Sequence, residues 1–358
     1  MKLVRLLHGW AGISLGLLLT LVCTTGTLCA YRHDLNQWWH ASIPQRSQPP
    51  NYGRLAAAVQ RDYGDATRVS YVGAPAYTGN VIEVWARQKT ETGGQRSFLA
   101  YYDPLDLELL SDTKGSTFSA VLAWLANGHV SLWAGSSGHL VVGVLGFLGL
   151  AFVATGTYLW LPRLKVRRPL QLRWRASRRV RHGDLHHVGG LLAAVPLLLV
   201  SFSGVLLVFP QSLSLTTAAL GGETSVDQAR EPVSGTPKPI GQLIQAAESA
   251  VRGGKVAWIP GLPLTGEEPL VLTLTYDGNP DPYKGGVLVT LDPTSGQILQ
   301  LIDPRHGPAA VWMERSHFGL HTGEVFGEGG RALFAVAGLL PLLLAWSGWV
   351  IWLRRRQS

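Results

Sequence analysis

The sequence predicts a membrane α-helical fold: four transmembrane helices forming two parallel repeats, with two small α+β domains outside the membrane. Three observations predict it. The 358 residues are 46% hydrophobic and only 15% charged, with a mean hydropathy of +0.15, too apolar for a simple cytosolic enzyme of this length. Four stretches free of Asp, Glu, Lys and Arg are long enough to cross a bilayer, which takes roughly 20 residues. The motif opening the first stretch also recurs at the opening of the third.

The first span, within residues 1–31, is the apolar run Leu6–Tyr31 behind Lys2 and Arg5. It is too long for a cleaved signal peptide, and Tyr31-Arg32-His33-Asp34 is no small-residue cleavage site, so it reads as a retained helix. Cys23 and Cys29 both lie inside it; helical spacing separates them by about 9 Å along the axis, beyond disulfide reach. No C-x-x-C or C-x-x-C-H motif occurs, which argues against structural zinc and covalently attached haem.

Residues 32–138 form the first outer domain, with a helix over Arg54–Tyr63, strands including Val81–Trp85 and a turn at Asp103-Pro104. The uncharged stretch Phe118–Trp133, with Trp124 and Leu125, reads as an interfacial helix on the outer leaflet. Residues 139–161 are the second span. The loop 162–184 carries Arg163, Lys165, Arg167, Arg168, Arg173, Arg175, Arg178, Arg179 and Arg181. Residues 185–209 are the third span. The second outer domain, 210–331, repeats the first: a helix over Ile240–Val251, a strand over Leu270–Leu274, and the hairpin signal Asp292-Pro293-Thr294-Ser295-Gly296. Residues 332–353 are the fourth span, and the tail 354–358 contains Arg354–Arg356. Trp10, Trp160, Trp346, Trp349 and Trp352 fall at predicted interfaces, where indoles form belts.

Basic residues in short loops stay on the cytoplasmic side, so both termini and the 162–184 loop are cytoplasmic and both outer domains face the periplasm or the exterior. The net charge of +8 is therefore a topology and lipid-headgroup signal, and no nucleic-acid partner is expected.

The repeat gives the histidines their interest. Leu7-His8-Gly9-Trp10-Ala11-Gly12 matches Leu185-His186-His187-Val188-Gly189-Gly190, which carries Thr25-Gly26 onto Ser203-Gly204. Aligning the closing spans through Gly156 and Gly348 puts His129 on His321. Two repeat-matched pairs arise, His8 with His186 and His129 with His321, one toward each membrane face. An ionisable residue at a membrane is a functional-site hypothesis, and paired neutral imidazoles on facing helices suit the axial positions of two non-covalent b-type haems in a helical bundle. Gly9, Gly12 and Gly16, with Gly189, Gly190 and Ala193, are the small residues expected to let a macrocycle approach. His33, His139, His187 and His317 are alternative ligands. His187 points about 100° away from His186 around a helix.

These residues resemble the PepSY-associated transmembrane helix proteins, also described as iron-regulated membrane proteins. The resemblance covers nearly the whole chain. It rests on Leu7–Gly12 with Thr25-Gly26, on Asp184-Leu185-His186-His187, on Gly156-Thr157-Tyr158-Leu159-Trp160-Leu161-Pro162, and above all on Arg315-Ser316-His317-Phe318-Gly319-Leu320-His321-Thr322-Gly323-Glu324-Val325-Phe326-Gly327. The chain departs from the family at Ala126-Asn127-Gly128-His129, where a Leu-His pair is more usual.

The resemblance implies PepSY-like outer domains and a dihaem reductase of the Gram-negative inner membrane. Such a protein moves electrons to a periplasmic ferric-siderophore and releases ferrous iron, with His8, His129, His186 and His321 matching the family's recurrent histidines. It implies no acid–base catalytic residue. No G-x-G-x-x-G opening a predicted helix and no P-loop is evident, so the electron donor is expected to be an unidentified protein or quinol. The PepSY name is shared with peptidase-inhibiting propeptide domains. The alternative is thus a non-enzymatic membrane protein that binds a peptidase, an envelope partner or a siderophore without redox chemistry.

Overall fold

The computed structural model describes residues 1–44, 48–89, 94–165, 170–222, 233–279, 281 and 285–355. In chain order the first half runs α1 (Lys2–Ser14), α2 (Gly16–Cys29), α3 (Arg32–Trp39), α4 (Tyr52–Tyr63), β1 (Thr67–Gly73), α5 (Pro75–Thr78), β2 (Ile82–Lys89), β3 (Gln95–Tyr102), β4 (Leu109–Asp112), α6 (Thr117–Ser131) and α7 (Gly135–Trp160). The second half runs α8 (Arg178–Val208), α9 (Pro210–Ala219), α10 (Ile240–Ala250), β5 (Lys255–Leu262), β6 (Leu270–Thr275), β7 (Val287–Leu291), β8 (Ile298–Ile302), α11 (Ala309–Thr322), α12 (Gly327–Ala337) and α13 (Leu340–Arg355). The chain divides into a helical unit, Met1–Tyr31 with Trp124–Leu213 and Leu320–Ser358, and a sheet unit, Arg32–Ala123 with Ser214–Gly319.

In the helical unit, Gly135–Trp160, Arg178–Val208 and Glu324–Leu353 are long and apolar enough to cross a membrane. The first span is not the single straight helix expected from its apolar run. It is two helices, α1 and α2, bent by 60°. The break falls at Ser14-Leu15-Gly16, where the Ser14 hydroxyl donates back to Trp10 O at 2.8 Å and Gly16 adds backbone freedom; both loosen a helix. Helices α7 and α8 pack through a stripe of small residues. A Cβ at Gly143 would stand 2.6 Å from Val208 and Phe209, and one at Gly146 would stand 2.9 Å from Val205. Such close backbone approach is how helices associate where lipid offers no hydrophobic drive.

The segments expected as two outer domains, 32–138 and 210–331, contribute their strands to a single sheet. All eight strands form one antiparallel sheet, ordered β4-β3-β2-β1-β5-β6-β7-β8. The two halves meet where β1 pairs with β5, Val69 opposite Leu262 and Val72 opposite Ile259. Apart, β1 and β5 would each present an open sheet edge; pairing satisfies both rows of backbone groups. Gly261 permits the junction, since a Cβ there would lie 2.9 Å from Val69 O. Over the sheet lie α4, burying Tyr52, Leu55, Ala58 and Val59, and α10, burying Ile240, Leu243, Ile244 and Ala247. These helical stripes share one core with alternate strand residues such as Ile82, Val84, Leu272 and Leu274.

The Asp-Pro turns close equivalent hairpins in the two halves. Asp103 Oδ1 accepts from Leu105 N at 2.7 Å, and Asp292 Oδ1 accepts from Thr294 N at 2.8 Å. Four residues on, Leu107 (φ 59°) and Gly296 (φ 76°) take the left-handed position. The Ser295 and Thr294 hydroxyls and the Thr294 amide hold the Asp292 carboxyl down at about 2, from an ordinary 3.8. A depressed folded-state value stabilises above the unfolded one and is lost as pH falls between those two values. Thermal unfolding from pH 5 to pH 2 should therefore be less pH-dependent in Asp292→Asn than in the parent. Equal slopes would refute the assignment.

Candidate functional site

Both histidine pairs lie within the helical unit. His8, on α1, faces His186, on α8, with ring centroids 6.4 Å apart and planes at 87°. His8 Nδ1 is 2.7 Å from Thr155 Oγ1 on α7. That hydroxyl commits its own hydrogen to Ala151 O at 2.6 Å, so it accepts from the imidazole. His186 Nδ1 donates to Leu344 O and Ser347 Oγ on α13, each at 3.1 Å. Phe152 stands edge-on to His8 at 5.3 Å.

The second pair is built the same way from other helices. His129, on α6, and His321, on α11, have ring centroids 5.8 Å apart and planes at 46°. His129 Nδ1 donates to Val22 O on α2 at 2.9 Å. His321 Nδ1 donates to Val200 O on α8 at 3.0 Å and lies 3.2 Å from Ser203 Oγ.

These partners fix the chemistry of the rings. A carbonyl only accepts, so Nδ1 carries the proton in His129, His186 and His321, and the committed Thr155 hydroxyl requires the same of His8. In a neutral imidazole the basic nitrogen is then Nε2 in all four. A metal-binding histidine is held in this way, one nitrogen donating to a fixed acceptor and the other directed at the metal. Two metal–nitrogen bonds of about 2 Å, end to end with half a ring at each side, set the centroids about 6 Å apart, near both observed separations. Among the described residues no group of three or more His, Cys, Asp or Glu side chains stands together as a metal cluster. Each pair could offer two nitrogens, a donor set that would suit a metal bringing further ligands of its own, as iron in a porphyrin does.

Each imidazole also lies against a glycine on a facing helix. A Cβ at Gly26 would be 2.6 Å from His129 Cε1, at Gly204 3.3 Å from His321 Cε1, at Gly348 3.4 Å from His186 Cε1, and at Gly156 3.6 Å from His8 Cε1. The small residues on the first and third spans have other surroundings. A Cβ at Gly9, Gly12 or Gly16 would meet nothing within 4 Å, while Gly189 packs on Leu343 and Gly190 on Leu344. Each of these four glycines follows a hydroxyl residue, at Thr25-Gly26, Thr155-Gly156, Ser203-Gly204 and Ser347-Gly348, and the repeat register alone does not show that they meet the rings.

The departure at Gly128 has a packing reason. The Trp133 indole lies against Gly128, where a Cβ would be 2.7 Å from its Cε2. The same indole stacks on Trp124 at 4.4 Å and donates to Trp124 O at 2.8 Å. Leu132 and Trp133, at φ 48° and 59°, turn the chain sharply after His129.

The alternative histidines have other settings. His139 Nδ1 is 3.1 Å from Val130 O, and the His187 ring stands edge-on to His186 at 6.3 Å. In the sheet unit His33 pairs with the Tyr77 hydroxyl, and His317 Nδ1 donates to Glu314 O at 2.7 Å. His182, not singled out from the sequence, is buried, donates to Arg178 O at 2.6 Å and meets Trp346 edge-on at 4.7 Å. In the basic loop Arg173 grips the buried Asp184 through Nε and a terminal nitrogen, both at 2.9 Å, tying the loop to α8; Arg167, Arg168 and Arg356 lie outside the described residues.

The family model described as PepSY-associated TM region matches residues 5–355. No curated protein matches the chain.

Proposed function

The chain belongs to the PepSY-associated TM family, and from that premise we propose that it is a dihaem b-type reductase of the bacterial inner membrane. It takes electrons from an unidentified protein or quinol and delivers them to a periplasmic ferric-siderophore. His8 with His186, and His129 with His321, are the residues that would hold the two haems, through their Nε2 atoms. When bound, each haem supplies a one-electron Fe(III)/Fe(II) couple. The spans form two parallel repeats, both termini are cytoplasmic, and the sheet unit is periplasmic and shapes the chelate site.

The single observation that carries this reading is the common setting of four imidazoles. Each has its Nδ1 engaged by a carbonyl or a committed hydroxyl, and the two pairs stand at 6.4 and 5.8 Å. Membrane-surface anchors need no facing partner and no fixed tautomer. The acceptor gains one electron at iron; the oxygen-rich chelation that suits ferric iron then weakens, and ferrous iron is released.

The test is an absorption spectrum of the purified full-length protein after haem-replete expression, with and without dithionite. We expect reducible Soret and α bands, reoxidised by a ferric trihydroxamate with ferrous iron trapped by a colorimetric chelator. Colourless protein would overturn the reading and favour the non-enzymatic binding role. Bands that the ferric chelate leaves reduced would overturn the reductase activity alone.

A further inference from the structure

The four Nδ1 groups are not held alike. His186, His129 and His321 each donate to a backbone carbonyl, of Leu344, Val22 and Val200, an acceptor that no side-chain substitution removes. Among the described residues His8 has only the Thr155 hydroxyl, at 2.7 Å and across 147 residues of sequence. That hydroxyl is in turn polarised by its short bond to Ala151 O, 2.6 Å. The result is a directed chain, imidazole N–H to hydroxyl to carbonyl, in which each bond strengthens the next.

We propose that Thr155 is a positioning residue for the His8–His186 centre, fixing the tautomer of His8 and setting its donor strength. This rests on the dihaem reading. An acceptor on Nδ1–H raises the electron density at Nε2 and makes the imidazole a stronger ligand. A stronger ligand favours ferric over ferrous iron, so removing the acceptor raises the midpoint potential of that centre. Among the described residues no hydrogen bond joins Thr155 to His129 or His321, so the other centre keeps its potential. Ser347 is the natural comparison: it contacts His186 at the same centre, but Leu344 O remains as an acceptor when its hydroxyl is removed.

Full-length protein carrying Thr155→Val, Thr155→Ser or Ser347→Ala is reconstituted in lipid nanodiscs and titrated potentiometrically, following the Soret band. In Thr155→Val one of two midpoints is expected to rise while the other stays. Thr155→Ser, which keeps the hydroxyl and loses the methyl, should restore parental values, and Ser347→Ala should shift the same midpoint less. The role of Thr155 is overturned if Thr155→Val moves neither midpoint or both equally, if the serine variant shifts as far as the valine variant, or if Ser347→Ala shifts further. Should Thr155→Val lose that centre altogether, the serine variant decides, with parental potentials supporting the role and displaced ones refuting it. Parental protein without haem is a different result, since it removes the dihaem reading itself.

Discussion

His186→Ala is expected to leave the protein with one of its two haem centres, and His8→Ala should leave the same one. Both imidazoles serve one metal in this reading, so the loss is shared rather than summed. The double variant His8→Ala/His186→Ala should retain as much haem as either single variant, whereas His8→Ala/His129→Ala should retain none. This non-additivity is expected where two groups act as one unit. The measurement is haem per polypeptide by pyridine haemochrome, with far-UV circular dichroism to confirm that the helices persist. The pairing of His8 with His186 by facing rings is wrong if the His8/His186 double variant loses both centres while each single variant loses one. The same logic applied to His129 and His321 tests the other pair independently.

The sequence made the spans and the histidine pairs legible for a shared reason. Long uncharged runs and a recurring motif are local patterns, readable without knowing which distant segments touch. Helix α4 and strand β6 were legible through their periodicity. What could not be read depends on contacts between distant segments. The pairing of β1 with β5 joins two halves into one sheet, and each strand by itself reads only as half-buried. The bend at Leu15 depends on a hydroxyl back-bond and a glycine within an otherwise uninterrupted apolar run. The glycines near His8 in sequence, Gly9 and Gly12, are not the ones that meet the imidazoles. A ring projects away from the helix that carries it, however, so the residue that must be small lies on the facing helix. Gly26 is 103 residues from His129, by subtraction of their positions, and only the fold brings them together.

Gly26→Ala is expected to be the most damaging of four formally identical substitutions. In a helix interior, glycine to alanine by itself favours the helix by about 1 kcal/mol, so the baseline expectation at the four glycines that face the imidazoles is a small gain in stability. The ring contacts decide where that gain survives. At Gly156 the nearest atom to an added Cβ is His8 Cε1 at 3.6 Å, ordinary van der Waals contact, and the variant should keep both centres. At Gly348 and Gly204 the distances are 3.4 and 3.3 Å, and a shift of a few tenths of an ångström suffices. At Gly26 the added carbon would stand 2.6 Å from His129 Cε1 and 2.8 Å from its Nδ1. The ring cannot slide away cheaply, because that same Nδ1 is held by Val22 O, one turn earlier on the same helix. Relief requires breaking the bond that fixes the tautomer or moving α6 away from α2, and either displaces Nε2 from His321. The expected order of haem retention is therefore Gly156→Ala, Gly348→Ala, Gly204→Ala, then Gly26→Ala, with the last losing the His129–His321 centre while His8–His186 stays loaded. A Gly26→Ala protein that keeps both centres with parental spectra would show that His129 is not seated against α2, and would remove it as a ligand in this geometry.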